Sequence, residues 1–275
     1  MEKNYIEKSE KHENEFKKQL FQLHKEKVEL LDNCIEILSK ILDSIKTEIG
    51  GSQKTDLIST RKWWEQKNDT FVCEMISDML LFLAEKKIYG ARKLLLSGYL
   101  ESMLANLRGV VETLFYSDIC RKSVNEAKKW LRKGYIEKSH NLSVHERISF
   151  YRSGETWKFL CSGGAHPGLI GFKTSMIASL VSLASEKLKI GAVKENAQAA
   201  QLFLIYLDDF HKMIKCYFGF MIQLIIDFIL YLREIFWDMY IKNDAIESEL
   251  EIVMSEYKRI AKIEFEYLKK RKIIH

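Results

Sequence analysis

The chain has 275 residues, 47% of them hydrophobic and 29% charged, with 43 Lys and Arg against 38 Asp and Glu for a formal net charge of +5. That composition is ordinary for a globular protein and supplies ample core, and a surplus of +5 does not by itself make a nucleic-acid binder. Five well-separated cysteines (Cys34, Cys73, Cys120, Cys161, Cys216) contain no C-x-x-C pair, so no zinc or redox motif is implied and reduced, mostly buried thiols are expected. The opening residues are charged throughout and lack the apolar stretch of a secretory signal, which leads us to expect a cytoplasmic protein.

Taken from the N-terminus, apolar residues recur every seven positions at Phe21, Val28, Ile35, Leu42 and Ile49, with Leu31, Leu38 and Ile45 between them and His24 at the one odd d position. This is a heptad seam, widened by Leu20, Cys34 and Ile41, and it predicts one long amphipathic helical arm over residues 1–50. Residues 1–15, rich in Glu and Lys, should protrude or fray. A seam this regular needs an apolar partner, so the arm is also expected to mediate homo-oligomerisation or docking of a protein partner. Gly50-Gly51 gives the arm a glycine stop, and residues 51–275 are expected to form a helical bundle domain.

A second helix is predicted from about Arg61 to Lys87, with Trp63, Phe71, Met75, Met79 and Phe82 facing the core, and a third from after Gly90 to about Cys120. Leu96, Leu100, Met103, Leu104, Leu107, Val111, Leu114 and Phe115 recur along the third at steps of three and four. Two S-x-x-E capping boxes, Ser123 to Glu126 and Ser143 to Glu146, open the next helices, which should run to about Lys133 and Leu160. Further helices are expected over 174–190, 195–241 and 244–272. No segment alternates with period two, so the fold class is all-α, a multi-helix bundle with long C-terminal helices.

The stretch from Cys216 to Leu232 has no Lys or Arg, which raises the possibility of a membrane span. It runs short of the roughly 20 residues a span needs and contains Gln223 and Asp227, so it reads as a buried core helix rather than a membrane segment. Asp227 should then pair with a cation or face a polar cavity.

The sole proline, Pro167, lies in a segment from Cys161 to Gly171 that also holds four of the 13 glycines, together with Ser162 and His166. Such a break is either a tight corner between helices or a backbone shaped around a ligand. On the third helix Arg108 and Glu112 are four apart among core residues, where charges need partners. Residues 85–160 carry 15 Lys or Arg against 8 acids, a local surplus of +7 beside that break. Arg108, Glu112, Arg147, Arg152, Ser162 and His166 are therefore the candidate ligand-binding residues, and the charge favours an anionic partner such as RNA or a nucleotide. Asp208 and His211 lack further ligands at metal spacing, and no phosphate loop or dinucleotide fingerprint occurs, so neither metal nor cofactor is expected.

The order of an Arg-x-x-x-Glu helix (Arg108 to Glu112), an Ala-Lys-Lys-Trp-Leu helix (Ala127 to Leu131), an Arg-bearing helix and a Ser-x-x-x-His-Pro box (Ser162 to Pro167) resembles an uncharacterised branch of HEPN-like helical proteins, over about residues 95–170. Those relatives usually have Leu directly before the Ser and an aromatic three residues earlier, where this chain has Cys161 and Lys158. Nuclease members of the wider group carry Arg, four to six residues, then His; no Arg here meets that spacing. The resemblance therefore implies RNA or nucleotide binding, or a helper role in defence or toxin-type systems, and leaves ribonuclease activity without its motif.

Overall fold

The structure, a computed structural model, describes residues 2–51, 68–133, 197–236 and 244–270. They form α1 (Glu2–Leu23), α2 (Lys25–Gly51), α3 (Asp69–Leu96), α4 (Leu100–Lys122), α5 (Val124–Lys133), α6 (Ala197–Phe236) and α7 (Asp244–Lys270), with no strand among the described residues. The predicted all-α class is what the apolar periodicity produces. α6, at 40 residues, and α7, at 27, are the long C-terminal helices.

The single long N-terminal helix is not formed. The chain instead makes two helices that meet at His24, the position where the seam lacks an apolar residue. Main-chain bonding crosses the joint, from His24 N to Leu20 O at 2.8 Å and from Val28 N to His24 O at 3.0 Å. The His24 carbonyl also accepts from Lys27 N at 3.0 Å, an extra short-range bond that tightens the turn and bends the chain at one residue. Of the protrusion or fraying expected for residues 1–15, fraying is not seen over residues 2–15, which are helical within α1. The Tyr99 hydroxyl donates to Glu13 Oε1 at 2.7 Å, and Phe16 packs on the core.

Beyond the bend the seam behaves as patterned: Val28, Leu31, Ile35, Leu38, Leu42 and Ile45 are no more than 4% exposed, whereas Phe21 before it is 36% exposed. Ile49 has its side chain outside the described residues. The apolar partner the seam requires comes from the same chain, because α6, α7 and α3 all pack on α2. Ion pairs from Lys40 to Glu249 at 2.8 Å and from Arg259 to Glu26 at 3.2 Å set α7 antiparallel to α2. Arg92 of α3 holds Asp32 of α2 with two bonds, at 2.5 and 2.7 Å.

α3 and α4 form a closely packed antiparallel hairpin, with α5 folded across its open end. The turn falls at Gly98, not at Gly90, which lies inside α3. Gly98 N bonds Leu95 O and Tyr99 N bonds Leu94 O, the paired pattern that ends a helix with a left-handed residue; Gly98 has φ +83°. A Cβ there would also lie 3.3 Å from the Phe16 ring. Asn68 caps the start of α3, its Oδ1 accepting from Phe71 N at 2.7 Å. The predicted α3 stripe is rotated: Val72, Ile76, Leu80, Leu81 and Ile88 are buried, while Met79 is 39% exposed and Phe71, Met75 and Phe82 are half-buried. Trp63 lies outside the described residues. The predicted α4 stripe, from Leu100 to Phe115, is buried throughout.

In α6 the stretch His211–Phe236 is long and apolar enough to cross a membrane by length and composition, and 56% of its apolar window is buried within the bundle. Asp227 accepts from Gln223 Nε2 at 2.8 Å one turn earlier.

Candidate functional site

Of the six residues singled out in the sequence, the structure brings two together. Arg108 Nε donates to Glu112 Oε1 at 3.0 Å along one face of α4, both side chains about a third exposed. Arg147, Arg152, Ser162 and His166, and the second capping box, lie outside the described residues.

The Arg108–Glu112 face has a neighbour the sequence did not announce. Lys87 of α3 reaches across to α4, donating to Gly109 O at 3.1 Å and to Thr113 Oγ1 at 3.0 Å. Gly109 makes that crossing possible, since a Cβ there would meet Lys87 Nζ at 2.9 Å. Burial holds the Lys87 ammonium below its ordinary pKa, against the pull of Glu112. Tyr116, one turn beyond Glu112, is pushed up by burial and then by that carboxylate.

Further along the same hairpin is a buried polar cluster. Ser77 and Ser117 share a hydrogen bond at 2.8 Å with both residues fully buried, and Ser117 Oγ also donates to Ser77 O at 3.0 Å. Arg121 Nε donates to Ser77 Oγ at 3.0 Å, its Nη2 pairs with Asp78, and the guanidinium lies 4.7 Å from the Phe236 ring centroid. Burial outweighs this pairing, so the Asp78 carboxyl is raised to about 6. Asp118 accepts from Lys122 at 2.7 Å and meets the Tyr231 hydroxyl of α6 at 3.5 Å. Burial, then Asp118, pushes the Tyr231 phenol upward.

Asp118 and Lys122 lead from this cluster into a cleft of about 740 Å³ at the α4–α5 corner, lined also by Ser123, Asn125, Glu126, Lys128, Lys129 and Arg132. The first predicted capping box opens α5 there, with Glu126 N donating to Ser123 Oγ at 3.4 Å. The carboxylate of Glu126 does not reach back to the cap amide; it takes Lys129 at 2.7 Å, while Ser123 N bonds Ile119 O. Lys128 pairs with Asp69 at 2.7 Å. Four cationic side chains thus share the cleft with Asp118 and Glu126, and the Lys122, Lys128 and Lys129 ammonium ends sit in partly solvated pairs. Of the three carboxylates only Asp69 is solvated, at 64% exposed, so its pair with Lys128 is the one an incoming anion can replace at little cost, whereas Asp118 and Glu126 are nearly buried and hold their lysines.

Two signals in the sequence point to this corner: the adjacent i, i+4 pairs Ser117/Arg121 and Asp118/Lys122 inside an apolar helix, and the basic density from Arg121 to Lys133. Among the described residues no group of three or more His, Cys, Asp or Glu converges as metal ligands would. Cys34, Cys73 and Cys120 are buried and Cys216 is exposed; burial pushes the Cys34 and Cys120 thiols up to about 12. Cys161 lies outside the described residues. Comparison with family models, with curated proteins and with solved structures finds no significant match.

Proposed function

We propose that this chain is a cytoplasmic, HEPN-like helical module that binds an anionic ligand, RNA or a nucleotide, on the polar side of the α3–α4–α5 unit. The carrying observation is the cleft with Lys122, Lys128, Lys129 and Arg132 on its lining, on the basic central segment of the chain. Arg108 and Glu112 lie on the same helix as Lys122, about four and three turns away, and Arg147, Arg152, Ser162 and His166, outside the described residues, are included on the sequence reading alone. Phosphate binding to exposed ammonium and guanidinium groups is chemistry that needs no catalytic group, and the reading assigns none. The helix α6 is read as the core of this body, not as a membrane anchor.

The test is fluorescence anisotropy with a labelled single-stranded RNA oligonucleotide and with a labelled nucleotide. Lys128→Glu with Arg132→Glu should abolish binding while thermal melting stays near wild type, since both changes fall on the partly exposed rim. Arg108→Ala and His166→Ala should each weaken binding. Wild-type protein that binds neither probe at low salt would refute the reading.

A second reading, a non-enzymatic assembly protein, draws support from Phe21 and Leu23 at the end of α1, which are 36% and 58% exposed. Removing residues 1–23 should then lower the oligomeric mass measured by light scattering. An unchanged mass would count against it.

A further inference from the structure

We propose that Asp69 is a built-in anionic competitor for the α4–α5 cleft: in the ligand-free chain its carboxylate holds Lys128, and a phosphate of the ligand displaces it. This inference rests on the reading of that cleft as the anion-binding face. Lys128 Nζ stands 2.7 Å from Asp69 Oδ1. Lys128 is on the lining of the cleft and Asp69 is not, so the ammonium is tied to a group outside the space a ligand would fill.

The three lysine pairs around the cleft differ in kind. Lys122 with Asp118 lies within α4 and Lys129 with Glu126 within α5, four and three residues apart, and their carboxylate side chains are only 9% and 8% exposed. A ligand that took either lysine would leave a nearly buried carboxylate short of its cation, which is strongly destabilising. Lys128 and Asp69 come instead from two helices, 59 positions apart in the chain, with side chains 33% and 64% exposed. Asp69 is the acid in the first turn of α3. Released there, it returns to water and keeps the favourable field of the helix N-terminus, so its departure strands no buried charge. Lys128 thus has two alternative partners, one fixed in the fold and one brought by the ligand. Whatever the first contributes is subtracted from the affinity for the second.

The experiment is fluorescence anisotropy of the full chain at low salt with the labelled single-stranded RNA and the labelled nucleotide. Asp69→Asn should tighten binding about two- to fivefold, the factor that a partly exposed ion pair is worth. Melting should stay near wild type, because Asn68 Oδ1 still caps α3 through Phe71 N. Glu74→Gln, which removes one charge from an exposed position five residues further along α3, should gain much less. Asp69→Glu, which keeps the charge, should bind as wild type does. The gain from Asp69→Asn should vanish in a Lys128→Ala background, where there is no ammonium left to release. If wild type binds a probe and Asp69→Asn binds it no better, gains no more than Glu74→Gln, or keeps its gain without Lys128, the competitor role is overturned while the cleft reading stands. If Asp69→Asn binds where wild type is too weak to measure, the role is supported. If neither binds either probe, the cleft reading fails and this inference fails with it.

Discussion

The sector built on α2 and the hairpin of α3 and α4 bury their helices by different chemistry. Along α2 the inward positions from Val28 to Ile45 are apolar and essentially inaccessible, and the polar contacts to α7 lie at the rim, where Lys40 and Arg259 are nearly half exposed. In the hairpin the packing stripe of α4 is equally apolar, yet Ser77, Asp78, Ser117, Asp118 and Arg121 run a hydrogen-bonded spine beside it. The first arrangement is held by area removed from water and tolerates any well-fitting hydrophobe; the second fixes one register, because each buried polar atom must find its one partner. The proposed cleft opens at the end of that spine, where Asp118 and Lys122 surface.

The largest expected effect comes from breaking the apolar sector. Leu38→Ala removes a fully buried side chain from the inward face of α2, and should cost about 2–5 kcal/mol in urea unfolding. Ser117→Ala should cost less, about 1–3 kcal/mol, because it removes the buried bonds that Ser117 makes to the Ser77 hydroxyl and carbonyl. A Ser77→Ala, Ser117→Ala double variant should recover part of that loss. A strictly additive double variant would mean the two hydroxyls do not act as a pair. Gly98→Ala should cost about 1–2 kcal/mol from the left-handed backbone alone, with the Phe16 contact adding to it.

That contrast also explains what the sequence disclosed. Period and spacing predicted the helical class, the stripe from Leu100 to Phe115, the start of α5 at Ser123 and the inward face of α2, because all of these follow from local pattern. The turn was misplaced because Gly90 and Gly98 look alike in sequence, and only the second sits at a left-handed position. The α3 face was rotated because Met79 and Phe82 are large and apolar yet lie at the edge, while smaller Val72 and Cys73 point inward. Arg108 and Glu112 were legible as an i, i+4 pair on one helix. Lys87 was not, since its place depends on a missing Cβ at Gly109 on another helix. His24 broke the seam visibly, but its partner His211 lies 187 residues away and no spacing rule connects them.

The pH-dependent effects are opposite in sign between the two sectors. His24, lowered to about 4, contributes stability that is present above about 6.5 and is lost as pH falls toward 4; His24→Gln should flatten that limb. Asp78, raised to about 6, contributes stability that is present at acid pH and lost as pH rises through 6. Asp78→Asn should therefore compare best with wild type above pH 7 and lose that advantage toward pH 4. Urea melts of both variants and wild type at pH 4.5, 6 and 7.5 separate the two terms.

The central claim, that the corner between α4 and α5 is the anion-binding face, is tested most directly by the salt dependence of RNA affinity. For wild type, the logarithm of the association constant should fall linearly with the logarithm of salt concentration, with a slope of about −0.7 per phosphate contacted. Replacing Lys128, Lys129 and Arg132 by alanine should make that slope shallower by about two, as those contacts vanish, while Leu38→Ala leaves it unchanged in the folded fraction. Parallel slopes for wild type and the triple variant would place the binding face elsewhere and contradict the account.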